Sequence, residues 1–261
     1  MQVAARTQTC HSAVINFVIF GTRYNWEMQE KPSSGKKTSK KHQPKGLTIL
    51  HEDQDIIVID KSNCLLTIST DTEKARTAYY ILTDYVKKGN PKSRNRIFIV
   101  HRLDRDTSGV LVFAKNENAK RFLQDNWREF SKTYYAVIHG KMNEREGLIT
   151  SYLLENSAHR VYSVRDPEKG KLAKTSYKVI KESANYSLVE INLLTGRKNQ
   201  IRVHFAEKRH PVVGDKMYGD MPSGGNRLAL HASTLTIIHP YSRKQMTFKT
   251  ELPLCFKMLV K

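Results

Sequence analysis

His101–Asn116 reads HRLDRDTSGVLVFAKN, and the fold turns on how this stretch divides. Ile97–Val100 just before it and Val110–Ala114 within it are apolar runs of strand type. A strand-to-strand connection needs roughly three or four polar turn residues. Here two arginines, two aspartates and a histidine stand together. Asp104 or Asp106 would serve as a plain turn residue by capping the loop through its own side chain. A loop held between rigid strands is also where catalytic groups are commonly placed. Asp104, flanked by Arg102 and Arg105, would stay ionised, as a nucleophile or base must. At the other end Asn116 is an N-cap for a helix whose apolar face is Ala119, Phe122, Leu123, Trp127 and Phe130.

Working outward, Thr48–His51 and Ile56–Asp60 are β-type runs around the acidic turn Glu52–Asp55. Ala75, Ala78, Tyr79, Leu82 and Val86 recur at helical spacing until Gly89 stops them. Lys132–His139, Thr175–Lys181 and Tyr186–Leu194 read as strands, the last two joined by Glu182–Asn185. Gln200–Lys208 predicts a short helix with Ile201 and Phe205 inward. Leu228–Ile238 and Gln245–Phe248 add strands around His239–Arg243. The hairpin-like connections predict an α+β fold, a mixed, mainly antiparallel sheet with flanking helices, over residues 46–261. Residues 1–45 differ. Lys31–Lys45 (KPSSGKKTSKKHQPK) carries six lysines and no acid, a composition expected to give a basic, disordered extension that serves as a hold on phosphates or as a solubilising linker.

Composition narrows the function class. With 39% hydrophobic residues in 261, the chain can bury a core. Lys plus Arg number 44 against 25 acids, a formal charge of +19, which points to phosphate-rich polymers or anionic membranes, with acidic proteins as the competitor. Cys10, Cys64 and Cys255 are too few for a disulfide framework and lie in no metal-ligand spacing, so a reducing, cytoplasmic setting without structural zinc is expected. No run approaches the roughly 20 apolar residues of a membrane span, and Ala13–Phe20 is short for a signal peptide.

Two further concentrations stand out. In Leu194–Phe205 (LTGRKNQIRVHF) a strand ends, Thr195-Gly196 turns the chain, and a helix begins near Asn199 or Gln200. Arg197, Lys198 and Arg202 cluster at that helix start, where cations are locally unfavourable, so they should serve an external anion or a buried carboxylate. In Lys132-Thr133-Tyr134-Tyr135, adjacent tyrosines point to opposite faces of a strand, which makes one of them core and frees the other to stack.

HRLDRDTSGVLVFAKN resembles the signature of RluA-type pseudouridine synthases, H-R-L-D-x-x-T-S-G. KTYYAVIHG resembles their K-x-Y-x-A-x-x-x-G, and TGRKNQIRVHF with HPVVGDKMYG resembles T-G-R-T-H-Q-I-R-x-H followed by H-P-I-x-G-D-x-x-Y-G. RLALHA (Arg227–Ala232) and GLTILHEDQDIIVIDK (Gly46–Lys61) are similar to further landmarks, all in the family order. The resemblance implies an isomerase that detaches uracil from ribose and rejoins it through carbon, with no metal or cofactor. It assigns Asp104 as the essential carboxylate, Arg202 as its partner, and Tyr134 as the ring that stacks on uracil, leaving Tyr135 to the core. Whether Asp104 attacks the sugar, attacks the ring or removes a ribose proton stays open. Arg102 would brace the displaced nucleotide, while Arg105, Arg197 and Lys198 would meet flanking phosphates of a structured ribosomal or transfer RNA. A monomer is expected. Ser62-Asn63-Cys64 departs from the family's Pro-Ser-Gly, and Lys198-Asn199 from its Thr-His. The rival classes are a noncatalytic RNA-binding protein that kept the fold, for which a carboxylate facing phosphates has no use, and a metal-independent nuclease or glycosidase acting on RNA; a glycosidase would want a second carboxylate that only Asp106 could supply.

Overall fold

The structure, a computed structural model, describes residues 18–19, 22–23, 44, 47–69, 77–90, 92–219 and 227–261. The Lys31–Lys45 stretch, Pro44 apart, and the helical-spacing residue Ala75 lie outside these. Met1–Ser39 forms one unit and Lys40–Lys261 another. In the first, β1 (Val18–Ile19) pairs antiparallel with β2 (Thr22–Arg23).

The second unit runs β3 (Leu47–Glu52), β4 (Ile56–Lys61), α1 (Ala78–Lys87), β5 (Phe98–Ile99), β6 (Ser108–Ala114), α2 (Glu117–Asp125), β7 (Ser131–His139), β8 (Glu146–Glu155), β9 (Val161–Val164), β10 (Lys171–Glu182), β11 (Tyr186–Leu193), α3 (Gln200–Glu207), β12 (Leu230–Ile238), β13 (Gln245–Lys249) and α4 (Leu254–Leu259). The strands form one sheet in the order β3-β4-β6-β12-β7-β11-β10-β8-β9, with β5 added on β6 and β13 on β12. Among the described pairings of this sheet only β6 with β12 is parallel. The α+β, mainly antiparallel architecture expected from the sequence is the one observed.

Strands β4 and β6 are the apolar centre because helices cover both their faces. Ile56, Val58, Val110 and Val112 pack with Ala119 and Leu123 of α2, while Ile57, Ile59, Leu111 and Phe113 pack with Ala78, Leu82 and Val86 of α1. Period-two alternation thus feeds two cores from each strand, which is why these segments read as continuous apolar runs. A third core joins β7, β10 and β11 to Ile201 and Phe205 of α3, Phe256 of α4 and Val260 just after it. Capping sets the helix starts: Asn116 accepts from the Ala119 N–H at 2.8 Å, and Thr77 from the Tyr80 N–H at 3.1 Å.

One glycine decides how closely the halves approach. Gly109 has φ +115° and lies opposite Ala232 in the parallel pair; a Cβ there would meet the Ala232 carbonyl oxygen at 2.1 Å. Only glycine combines that backbone with that contact.

Candidate active site

The loop between β5 and β6 carries His101–Thr107, and its backbone is pinned from beneath. Thr67 Oγ1 donates to the Leu103 carbonyl at 2.7 Å and accepts from the Leu103 N–H at 3.2 Å. Lys61, fully buried at the end of β4, donates from Nζ to the carbonyls of Ser62 (3.0 Å), Leu65 (2.7 Å) and Arg105 (3.0 Å). Burial lowers the Lys61 pKa to about 8, against the pull of Asp104 and Asp106, so the ammonium persists at neutral pH. Ser108 Oγ accepts from Arg227 Nη2 at 2.6 Å and bonds His231 Nδ1 at 2.8 Å. His101 Nε2 accepts the Val112 N–H at 3.2 Å, and its ring stacks on Trp127 at 4.1 Å. Burial drops His101 to about 3, which makes it a neutral structural acceptor.

Lys61 touches loop backbone and does not line the cleft above it. Lys61→Met should therefore cost about 1–3 kcal/mol, the penalty for stranded buried acceptors, seen as a lower Tm. Turnover measured well below that Tm should fall much less than stability does; a variant as stable as wild type would remove the staple role.

Above the loop lies a cleft of about 340 Å³, in the size class of small-molecule pockets. The structure brings Asp104, Tyr134 and Arg202 to its wall together with Arg102, Arg197 and Lys198. Arg105 does not join them; its side chain is exposed, and its carbonyl serves Lys61. Arg202 Nη1 lies 3.8 Å from Asp104 Oδ2, too long for a hydrogen bond. The guanidinium is instead gripped by Asp215, from Nε at 2.7 Å and Nη2 at 2.8 Å, and by Asn199 Oδ1 at 3.1 Å. The expected pairing of Arg202 with Asp104 is thus a looser charge contact, because the bidentate fork is already used by Asp215. Asp215 is completely buried. Burial opposes its ionisation, but Arg202 and the N–H groups of Met217 and Tyr218 hold its pKa below the ordinary value.

Asp104 keeps a quarter of its side chain open to the cleft. Desolvation pushes its pKa above the ordinary carboxylate value, opposed by Arg202, Arg102, Lys61 and Lys198 in that order. A carboxylate that is desolvated, near a cation and not hydrogen-bonded to it remains available to react. Tyr134 on β7 packs between two of the cores, and burial first, then Asp104, raises its hydroxyl above the usual phenol range. Tyr135 on the opposite face is not fully core: it packs against one cluster, but its hydroxyl donates to Glu190 at 2.6 Å.

The β11–α3 turn is held by Gln200, whose Oε1 accepts from Thr195 Oγ1 (2.8 Å) and the Arg197 N–H (3.0 Å). Asn199 adopts φ +53°, a conformation asparagine tolerates better than most residues, and from there its side chain reaches both Arg202 and the Tyr218 hydroxyl. Arg197 donates from Nε to the Leu172 carbonyl at 3.0 Å, and Lys198 is tied to Glu155. His204 lies between Thr175 and Ser151 at 2.8 and 3.0 Å, and burial lowers it to about 4, so it too is structural. Asp215, Lys61 and Asn199 stand inside the quoted motifs, yet their bonds to Arg202, Arg105 and Tyr218 join segments that only the fold brings together.

Similarity to known proteins falls on these same segments. A family model described as RNA pseudouridylate synthase matches residues 55–207. The "Dual-specificity RNA pseudouridine synthase RluA" of Escherichia coli is 35% identical over 208 residues, covering 78% of this chain and 92% of the relative. The "Uncharacterized RNA pseudouridine synthase YhcT" of Bacillus subtilis is 32% identical over 255 residues, covering 95% and 82%. The solved structure titled "Human RNA Pseudouridylate Synthase Domain Containing 1" is 26% identical with a TM-score of 0.64, covering 82% of this chain and 89% of that one. The matched region spans more than half the sequence and takes in the Asp104 loop, the Tyr134 strand and α3 through Arg202, and the chain accordingly belongs to the RNA pseudouridylate synthase family, isomerases that act on RNA.

Proposed function

We propose that this protein converts uridine to pseudouridine in structured ribosomal or transfer RNA, with Asp104 as the reacting carboxylate. The observation that carries this reading is the Asp104 carboxylate, 3.8 Å from a guanidinium that is itself clamped elsewhere, in a cleft walled by Tyr134. The reaction breaks the bond between ribose C1′ and uracil N1, turns the base, joins C1′ to C5, releases the C5 proton and takes up one proton at N1. Product and substrate have the same formula, so the step balances without an electron donor or acceptor. Attack on the sugar, attack on the ring and removal of a ribose proton all begin with an ionised carboxylate beside the glycosidic bond.

Arg202 favours that ionised form while Asp215 and Asn199 fix its geometry, where misplacement by about 1 Å can cost roughly a hundredfold in rate. Tyr134 lies against the base. Burial and the nearby Asp104 raise its pKa, so the hydroxyl is protonated in the resting enzyme. A uridine in a folded RNA must first be extruded, at a cost of a few kcal/mol, and Arg102 at the cleft wall is placed to brace the displaced nucleotide. Phosphate contacts by Arg197 and Arg105, and by Lys198 once the RNA displaces Glu155, add a salt-dependent, sequence-blind hold, to which the lysines of residues 1–45 contribute.

The protein acts as a monomer in the cytoplasm, a reducing setting that suits the free, exposed Cys64 and Cys255. No helix among the described residues is long and apolar enough to cross a membrane. Pseudouridine mapping of total RNA from cells with and without the gene should show one or a few uridines that lose the modification and regain it on complementation. An unchanged map in both ribosomal and transfer RNA would overturn the assignment of substrate.

A further inference from the structure

The β8–β9 hairpin reaches the cleft residue Lys198 through Glu155. Glu155, the last residue of β8 before the turn, is occupied twice, by Lys198 Nζ and by His159 Nδ1 at 2.9 Å. The charge of Lys198, a residue of the cleft wall, is therefore already compensated within the protein. Five residues along the same hairpin the situation is reversed. Arg160 is exposed, and no carboxylate among the described residues lies within ion-pair distance of it. Its guanidinium lies instead over the Tyr218 ring, 5.3 Å from the centroid, and Arg202 lies over the same ring at 5.1 Å. The two cations are thus within about 10 Å of each other.

The position of Arg160 is set by its backbone. Its N–H donates to Asn156 Oδ1 at 2.9 Å, and the Asn156 N–H donates back to the Arg160 carbonyl at 3.0 Å. The next residue, Val161, donates its N–H to the Tyr218 hydroxyl at 3.0 Å, an oxygen that also accepts from Asn199 at 3.1 Å. The tip is therefore tied to the segment that grips Arg202. A guanidinium resting on an aromatic face keeps its in-plane N–H groups free for a planar or tetrahedral oxyanion, and less side-chain entropy is lost when it binds one.

We propose that Arg160 is a phosphate-binding residue that grips the RNA strand where it crosses the rim beside Arg202. This rests on the reading of structured RNA as substrate. It adds to Arg102 and Arg197 of the cleft wall a hairpin cation with no carboxylate partner among the described residues, whereas Lys198 is paired with Glu155.

The test measures anisotropy of a labelled stem–loop RNA transcript across a range of salt, with turnover assayed on the same RNA. The proteins are wild type, Arg160→Ala, Arg160→Lys and Arg145→Ala, the last an exposed arginine paired with Glu182 on β10. Arg160→Ala should weaken binding about three- to tenfold at low salt and reduce the slope of log Kd against log salt by about one. KM should rise by the same factor, with a smaller change in kcat. Arg160→Lys should keep the wild-type slope with part of the affinity lost, and Arg145→Ala should match wild type. An Arg160→Ala protein with wild-type Kd and slope overturns the proposal. So does a loss confined to kcat at unchanged slope, which would make Arg160 a positioning residue acting through Tyr218. Binding is read without turnover, so a wild type that binds through Arg160 yet isomerises no uridine would sink the catalytic reading and leave this one standing.

Discussion

Asp104→Asn should abolish pseudouridine formation, by at least about 10⁴-fold, while the protein folds and binds RNA as before. The substitution keeps the shape of the side chain and removes only its capacity to act as an ionised carboxylate. Stability supplies an independent check. Burial raises the folded-state pKa of Asp104, so any stability drawn from its protonated form is present below the ordinary carboxylate range and lost as pH rises through the elevated value. At neutral pH the wild type is on the costly side of that transition. The neutral amide should therefore melt at the same temperature or higher. The same shift fixes the acid side of the rate profile: kcat/KM should fall as pH drops through a value above the ordinary aspartate range, because protonation removes the reacting form of the free enzyme. Product from the Asn variant would refute the assignment of Asp104, and an acid limb at or below the ordinary aspartate value would refute its desolvated state.

The second large effect belongs to Arg202. Removing it leaves Asp215, with no exposed side-chain surface, charged and without its fork of hydrogen bonds. Stranding a buried partner in this way costs about 3–5 kcal/mol, and Arg202→Ala should show a loss of that order in denaturant unfolding at pH 7. The sign with pH follows from the lowered pKa of Asp215. A depressed folded value contributes stability above the unfolded pKa that is lost as pH falls through the folded one. The gap between wild type and Arg202→Ala should accordingly be widest near neutrality and narrow in strong acid. Activity should fall severely as well, since Asp104 loses its nearest cation. Arg202→Lys should recover part of the charge but not the two-pronged grip, and so restore less stability than a simple charge argument predicts. An alanine variant of wild-type stability would dismiss the clamp.

The parts of this arrangement legible in the sequence are those written locally. Asn116 precedes an apolar helical face and caps it; Gln200 follows a Thr-Gly turn and begins α3. The unbroken apolar runs in Ile56–Asp60 and Val110–Ala114 announce buried strands. Strand β8 is less legible because its inward face carries Ser151, bonded to His204, between Ile149 and Leu153, which breaks the apolar period. Strand β9 has only four residues, and α4 follows Pro253 with no side-chain cap. At the site, Asp104, Tyr134 and Arg202 are legible through their motifs. The clamp of Asp215 on Arg202 and the neutralisation of Lys198 by Glu155 are not, because each depends on which side chains meet across long sequence separations.

The order β6-β12-β7 has a consequence for how the molecule is made. Strand β12, residues 230–238, is inserted between two strands completed about a hundred residues earlier. A nascent chain emerging from the ribosome can form the β3-β4-β6 and β7-β11-β10 blocks, but the strand that joins them in the sheet is missing until Leu230–Ile238 is synthesised. Such long-range closure slows folding and leaves two bare strand edges exposed meanwhile. Because Asp104 comes from one block and Tyr134 and Arg202 from the other, catalytic competence should arrive abruptly with that last central strand.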